Sequence, residues 1–179
     1  IFCEFNRIDK FKYGSDCMEE ELRNQEEKKS KIRVAVLGCS GLVGQTIVDS
    51  LLGHPWFIVE SLHGYSTIGK KFQEIALGVL NRRISKKIRK MEIKSIEAID
   101  LENIDIIFSA LPSEVAKTVE ARFAKEVPVF STASAYRYDE DVPIFLPIVN
   151  ADHSKVISHQ RRIRRWKGFV CPGPNCTSV

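Results

Sequence analysis

Ile32-Arg33-Val34-Ala35-Val36-Leu37 runs straight into Gly38, and Gly41 and Gly44 follow at three-residue intervals. No other feature of the chain limits its folds so tightly. A run that is β-branched and apolar on both faces suits a central parallel strand, covered above and below. The glycines then ask for a tight turn. Thr46-Ile47-Val48-Asp49-Ser50-Leu51-Leu52 carries apolar residues at helical spacing until His54-Pro55 ends the helix. Phe57–Leu62 reads as a second strand, which completes a βαβ unit of about thirty residues.

The alternation continues. A strand is expected near Met91–Lys94 and another at Ile104–Ser109. A helix follows from Ser113 to Lys125 with Val115, Val119 and Phe123 on one stripe, and then a strand at Val127–Ser131. Strands and helices at this spacing predict an α/β fold with a Rossmann-like, doubly wound parallel sheet. From Asn150-Ala151-Asp152 a helix is expected to run to about Trp166. Arg161-Arg162-Ile163-Arg164-Arg165 would then form a solvated face, with Ile163 and Trp166 turned inward. Phe169–Cys171 reads as a short strand entering the turn Pro172-Gly173-Pro174-Asn175-Cys176-Thr177-Ser178-Val179. Three segments are expected: a charged extension over 1–30, a nucleotide-binding domain over 31–150, and over 151–179 the start of an α+β catalytic and dimerisation domain.

Composition narrows the function classes. The chain has 179 residues, 44% hydrophobic and 28% charged, which fits one ordinary globular domain with a fragment of a second. No apolar run is long enough to span a membrane, the N-terminus lacks a signal-peptide layout, and the scattered cysteines support no disulfide framework, from which a reducing cytoplasm is expected. The net charge of +4 suits a small anionic ligand, and the basic run near the C-terminus comes without an aromatic stacking platform. Neither nucleic acid nor membrane is expected as a partner. The five cysteines are scattered with no CxxC pair, and the four histidines have no ligand spacing, so no metal site is expected.

The chemistry concentrates at strand ends. The loop Gly38-Cys39-Ser40-Gly41-Leu42-Val43-Gly44 has GxxGxxG spacing where a dinucleotide phosphate turn belongs, so Gly38, Ser40, Gly41, Leu42, Val43 and Gly44 are candidate cofactor contacts. No acidic residue closes the second strand to hold a ribose 2′-hydroxyl. Tyr65-Ser66-Thr67-Ile68-Gly69-Lys70-Lys71 offers hydroxyls and ammonium groups instead, which favours NADP over NAD, with Ser66, Thr67 and Lys70 as contacts. Ser109-Ala110-Leu111-Pro112-Ser113 and Ser131-Thr132-Ala133-Ser134-Ala135-Tyr136-Arg137 lie past strand ends, where open α/β sheets bind ligands. Arg137 adds a planar fork for a phosphate or carboxylate. Cys176 sits in a turn of capping residues, where unpaired backbone N–H groups and a helix dipole would favour its thiolate.

Together with Asp141-Val142-Pro143 and Pro174-Asn175-Cys176-Thr177, these motifs resemble the aspartate-semialdehyde dehydrogenases, in the branch found in archaea and fungi, from about Lys31 to Val179. The resemblance implies that Cys176 is the acyl-accepting nucleophile, that Asn175 helps shape the active site, and that Arg137 binds phosphate. It implies NADP contacts at the glycine loop, at Ser66, Thr67 and Lys70, at Ser109 and Leu111, and at Ser131 and Ala133. The implied reaction is the NADP-dependent conversion of 4-phospho-L-aspartate to the semialdehyde through a cysteine thioester. Small-molecule substrates and a homodimer or homotetramer are implied for the full-length protein.

Cys39-Ser40 replaces the family's usual Ala-Thr, Thr132 replaces an Asn, and the loop after the second strand is shorter and lacks an Arg. A loop of that kind also occurs in malonyl-CoA reductases. The family's general-base histidine and most of its dimer interface belong to a second half that does not correspond to any of these residues, so the chain alone is expected to be inactive. Malonyl-CoA reductase, N-acetyl-glutamyl-phosphate reductase and a noncatalytic nucleotide-binding module stay open as alternatives.

Overall fold

The computed structural model describes residues 31–77 and 84–175. Six strands form one sheet: β1 Ile32–Leu37, β2 Phe57–Gly64, β3 Ile93–Ser95, β4 Ile106–Ser109, β5 Pro128–Ser131 and β6 Phe169–Pro172. Their order is β3-β2-β1-β4-β5-β6, and every pairing is parallel. The helices are α1 Leu42–Ser50, α2 Phe72–Ile75, α3 Lys86–Arg89, α4 Ser113–Ala124, α5 Pro147–Asn150 and α6 Ser154–Arg164. The chain walks outward from β1 to β3 and then returns to the other flank of β1 as β4. This is the doubly wound, Rossmann-like arrangement expected from the alternation of strands and helices.

β1 shows why. Val34 and Val36 enter one core with Val48 of α1 and Leu62 of β2, while Ala35 and Leu37 enter the opposite core with Phe123 of α4 and Val129 of β5. All four strand residues are fully buried. Removing each Val or Leu side chain from water contributes about 1.5–3 kcal/mol, so a run apolar on both faces is stable only with helices on both sides.

Several expected boundaries move for identifiable reasons. β4 begins at Ile106 because Asp105 is engaged with Arg33. The Arg33 N–H donates to Asp105 Oδ2 at 2.7 Å, and Arg33 Nη2 donates to Asp105 Oδ1 at 2.9 Å. On α4 the buried side is Ala116, Glu120, Phe123 and Ala124, whereas Val115 is 38% exposed, so the stripe lies about one position round from the expected one.

The long helix expected from Asn150 is instead α5, a 3₁₀ turn over Ala151–His153, and α6, which ends at Arg165 in the left-handed region with φ 55°. Asn150 does not cap α6. It accepts from the Leu146 N–H at 2.7 Å and donates to the Ile144 carbonyl at 2.8 Å, holding the chain that enters α5. Ile163, expected inward, is 59% exposed, while Trp166 does pack on the core. The residue facing β6 is Gln160, which is fully buried. Its Oε1 accepts from the Val170 N–H at 2.8 Å and its Nε2 donates to the Val170 carbonyl at 3.1 Å. The segment beyond residue 150 thus supplies α6 and β6 to the same sheet, with Pro172 in register with Ser131.

Candidate functional site

The three glycines of the β1–α1 turn do three different things. Gly38 has φ +70°, and a Cβ there would stand 2.5 Å from the Ala110 carbonyl oxygen, so the loop after β4 can close against the turn only because Gly38 has no side chain. A Cβ on Gly44 would collide with the Gly38 carbonyl and stand 2.8 Å from Cys39 Cα, so this glycine lets α1 enter against its own turn. Gly41 has no such need. Its φ is −74°, and a Cβ would meet only the Gly38 oxygen at an ordinary 3.6 Å.

Gly41 is also the N-cap of α1, with no side-chain cap, beside the exposed Leu42 and Val43. Bare N–H groups of a first helical turn behind an unobstructed backbone fit a diphosphate. The turn is braced from below. The His63 carbonyl accepts from the N–H groups of Gly38 and Cys39 at 2.9 and 3.3 Å, and Gln45 Nε2 donates to the Ser40 carbonyl at 3.0 Å.

The loop after β2 is tied to the neighbouring strand. The Gly69 N–H donates to the Ile93 carbonyl and the Ile93 N–H to the Lys70 carbonyl, each at 2.9 Å. This leaves Ser66 and Lys70 exposed. Thr67 Oγ1 is buried, with no hydrogen-bond partner among the described residues. A Cβ on Gly64 would lie 3.6 Å from that hydroxyl and 3.8 Å from Ser40 Oγ, so both hydroxyls flank a spot kept clear by glycine. An orphaned hydroxyl beside a glycine turn fits a polar ligand group such as a ribose.

On the other flank, Ser109, Leu111, Ser131 and Ala133 all turn their side chains into the core. What they can offer a ligand is main chain. The side chains of the two serines meet a fully buried carboxyl, Glu120 of α4; Ser131 Oγ donates to Glu120 Oε1 at 2.7 Å. Arg137 reaches across to the turn after β6, with Nε donating to the Gly173 carbonyl at 3.0 Å and Nη2 to the Thr132 carbonyl at 3.2 Å. The Gly173 N–H donates to the Ser131 carbonyl at 2.8 Å. The turn carrying Asn175, which is exposed, is therefore fastened to the end of β5.

Cys176 lies outside the described residues. Two other cysteines, Cys39 and Cys171, are buried in the core, and burial pushes their thiols up to about 12 and about 11 respectively. Neither can supply a thiolate near neutral pH. Among the described residues no group of three or more His, Cys, Asp or Glu side chains is placed to hold a metal ion, and no helix is long and apolar enough to cross a membrane. His63 is fully buried, with Nδ1 2.8 Å from the Ser95 carbonyl and Nε2 2.9 Å from Ser61 Oγ. Burial, aided by Lys94, keeps its pKa below the ordinary histidine value. His63 holds β2 to β3 and stands behind the glycine turn.

Sequence reasoning missed Gln45, His63 and Glu120. The signal available was a polar residue at an apolar position of its own pattern. Glu120, for example, falls three residues from Phe123 and four from Ala116.

A glycine turn at the switch point of a 3-2-1-4-5-6 parallel sheet, with ligand-ready loops on the same carboxyl edge, defines a dinucleotide-binding α/β domain. The profile of the semialdehyde dehydrogenase NAD-binding domain matches residues 33–157, and the chain belongs to that family. An aspartate-semialdehyde dehydrogenase of Archaeoglobus fulgidus is 40% identical over 148 residues, which make up 82% of this chain and 43% of that protein. A malonyl CoA reductase (NADP) of Metallosphaera sedula is 36% identical over 148 residues, 82% of this chain and 42% of that protein. The crystal structure of aspartate semialdehyde dehydrogenase with NADP from Candida albicans superposes with a TM-score of 0.73 at 28% identity, covering 83% of this chain and 44% of that one. The chain spans less than half the length of these relatives.

Proposed function

We propose that this chain is the cofactor-binding part of an NADP-dependent reductase that converts 4-phospho-L-aspartate to its semialdehyde through a thioester on Cys176, in amino-acid biosynthesis. The observation that carries the proposal is the stitching of the β5 and β6 ends. Arg137 and Ser131 both bond Gly173, so the chain leaves toward Cys176 from the same sheet edge as the Gly38–Gly44 turn.

In this reading the α1 N-terminus and Gly41 hold the diphosphate. Thr67 and Ser66 take the ribose end, and the Lys70 ammonium answers a 2′-phosphate at a strand end without an acidic side chain. Asn175 and Arg137 shape the substrate site and hold its phosphate. The Cys176 thiolate displaces phosphate from the acyl carbon and splits one difficult reduction into two easier steps. NADPH, when bound, supplies the hydride. Proton management belongs to a histidine outside this chain, so the chain alone binds cofactor and does not turn over. A catalytic domain following the nucleophile, a homodimer or homotetramer and a cytoplasmic setting complete the proposal.

The test has two arms. Calorimetry of the chain should show NADPH bound about tenfold or more tightly than NADH, and equal affinities would remove the 2′-phosphate assignment. In a protein that joins this chain to a family-like second half, Cys176→Ser should cut phosphate-dependent NADP reduction by aspartate semialdehyde by about a thousandfold or more. Undiminished turnover would sink the thioester. The short loop after β2 and the Metallosphaera sedula relative support a second reading, malonyl-CoA reduction by the same chemistry; turnover of malonyl-CoA but not of the aspartyl substrate would select it.

A further inference from the structure

Resting on the reading of the carboxyl edge as a dinucleotide site, one group beneath that edge acquires a task. Ser109 and Ser131 end neighbouring strands and are register partners. Both project to the α4 side of the sheet, because Ile107 and Val129, two residues earlier, lie in that core. There they meet Glu120, which is fully buried. Ser131 Oγ donates to Glu120 Oε1 at 2.7 Å and accepts the Ala133 N–H at 3.0 Å. Glu120 Oε2 and Ser109 Oγ are both buried, and neither has a hydrogen-bond partner among the described residues.

An ionised carboxylate would place a charge in an apolar core with only serine hydroxyls to answer it, at high cost. A protonated carboxyl accepts from Ser131 through one oxygen and offers its O–H toward Ser109 through the other. Burial raises the Glu120 pKa against the pull of both serine hydroxyls, which favours the protonated form.

We infer that Glu120 is a positioning residue: through Ser109 and Ser131 it holds the loops after β4 and β5 in the shape the cofactor crevice requires. The two loops are joined above it as well. Thr132 donates to the Ser109 carbonyl through its N–H at 2.9 Å and through Oγ1 at 3.2 Å, and Ser113 Oγ lies 3.0 Å from Ser134 Oγ. The Ser131 carbonyl also holds Gly173. One carboxyl thus underpins both the crevice and the turn toward Asn175.

The experiment compares the wild-type chain with Glu120→Met, Glu120→Gln and Ser131→Ala, by amide hydrogen exchange and by NADPH calorimetry. Methionine fills the volume without hydrogen bonds. Glutamine keeps one acceptor and one donor, as a neutral carboxyl does. In Glu120→Met the Ala133 amide should exchange about tenfold faster or more, with the β1 amides unchanged. NADPH should bind about tenfold more weakly, and Glu120→Gln should restore both. Wild-type protection of Ala133 in Glu120→Met would overturn the inference.

If Glu120→Met does not fold, Ser131→Ala carries the comparison through the Thr132 amide, where unchanged exchange and unchanged NADPH affinity would overturn it equally. A wild-type chain that binds no NADPH yet shows these exchange differences would end the cofactor reading and support the hold of Glu120 on the loops.

Discussion

Gly41 and Gly44 differ by three positions and by the reason each is a glycine. Gly44 is required by the protein itself, whereas a methyl on Gly41 would make only an ordinary contact, with the Gly38 oxygen at 3.6 Å. Substitution separates the two roles. Gly44→Ala forces a methyl into the Gly38 carbonyl and should cost about 1–3 kcal/mol or more, read as a lowered urea midpoint. Gly41→Ala meets no such obstacle; the weaker N-cap and the lower entropy of the unfolded chain oppose each other, so stability should stay within about 1 kcal/mol of wild type, while NADPH affinity falls by about tenfold. A Gly41→Ala chain that binds NADPH normally would show that no diphosphate approaches this backbone. The spacing of the glycines was legible in the sequence. Their division of labour was not, because it depends on how the turn folds back to set the Gly38 carbonyl and Cys39 against Gly44, and on Ala110 reaching Gly38 from the loop after β4.

At the scale of elements, α6 and β6 show where pattern reading fails. β6 is an edge strand, and Gln160 satisfies both polar groups of Val170 on its outer side, as a neighbouring strand would. The helix turns to bring that amide inward, and Ile163 is left in water as a consequence. Apolar periodicity cannot foresee this, since it ranks Ile above Gln at every inward position. Gln160→Met should strand a buried N–H and a buried C=O and cost about 2–4 kcal/mol, measured by denaturant unfolding. A neutral effect would mean that Val170 finds other partners. α4 presents the same case more mildly: Glu120 enters the core because Ser131 is there to meet it, and the stripe rotates away from Val115 to allow it.

For the whole molecule, a knot of charge ties α4, the loop after β5 and α6. Arg164 Nε pairs with Asp141 Oδ2 at 2.5 Å, Arg164 Nη2 with Asp139 Oδ2 at 2.8 Å, and Lys117 Nζ with Asp139 Oδ1 at 2.9 Å. The hydrogen bond from Arg164 holds the Asp141 pKa below the usual carboxylate value. Burial works the other way on Asp139, but the bonds from Arg164 and Lys117 prevail and its pKa is lowered too. The unfolded chain therefore takes up these protons first. The stabilisation is complete above the ordinary aspartate pKa of about 4 and is lost as pH falls through the lower folded-state values. Arg164→Met should flatten the loss of melting temperature on acidification below pH about 4; an unchanged acid profile would move the sensitivity to other groups.

What the sequence determined by itself was the alternation of strands and helices, the central strand and its glycine turn, and with them the doubly wound sheet and the edge where ligands bind. These are local or periodic properties, written in adjacent residues and fixed by backbone sterics and burial. The tertiary structure alone decided which polar side chains go inside. Gln160, His63 and Glu120 are buried because each meets a polar partner on a neighbouring strand, Val170, Ser95 and Ser131 respectively, and the cost of an unpaired polar group in the core makes that partner, not the residue's own hydropathy, the deciding term.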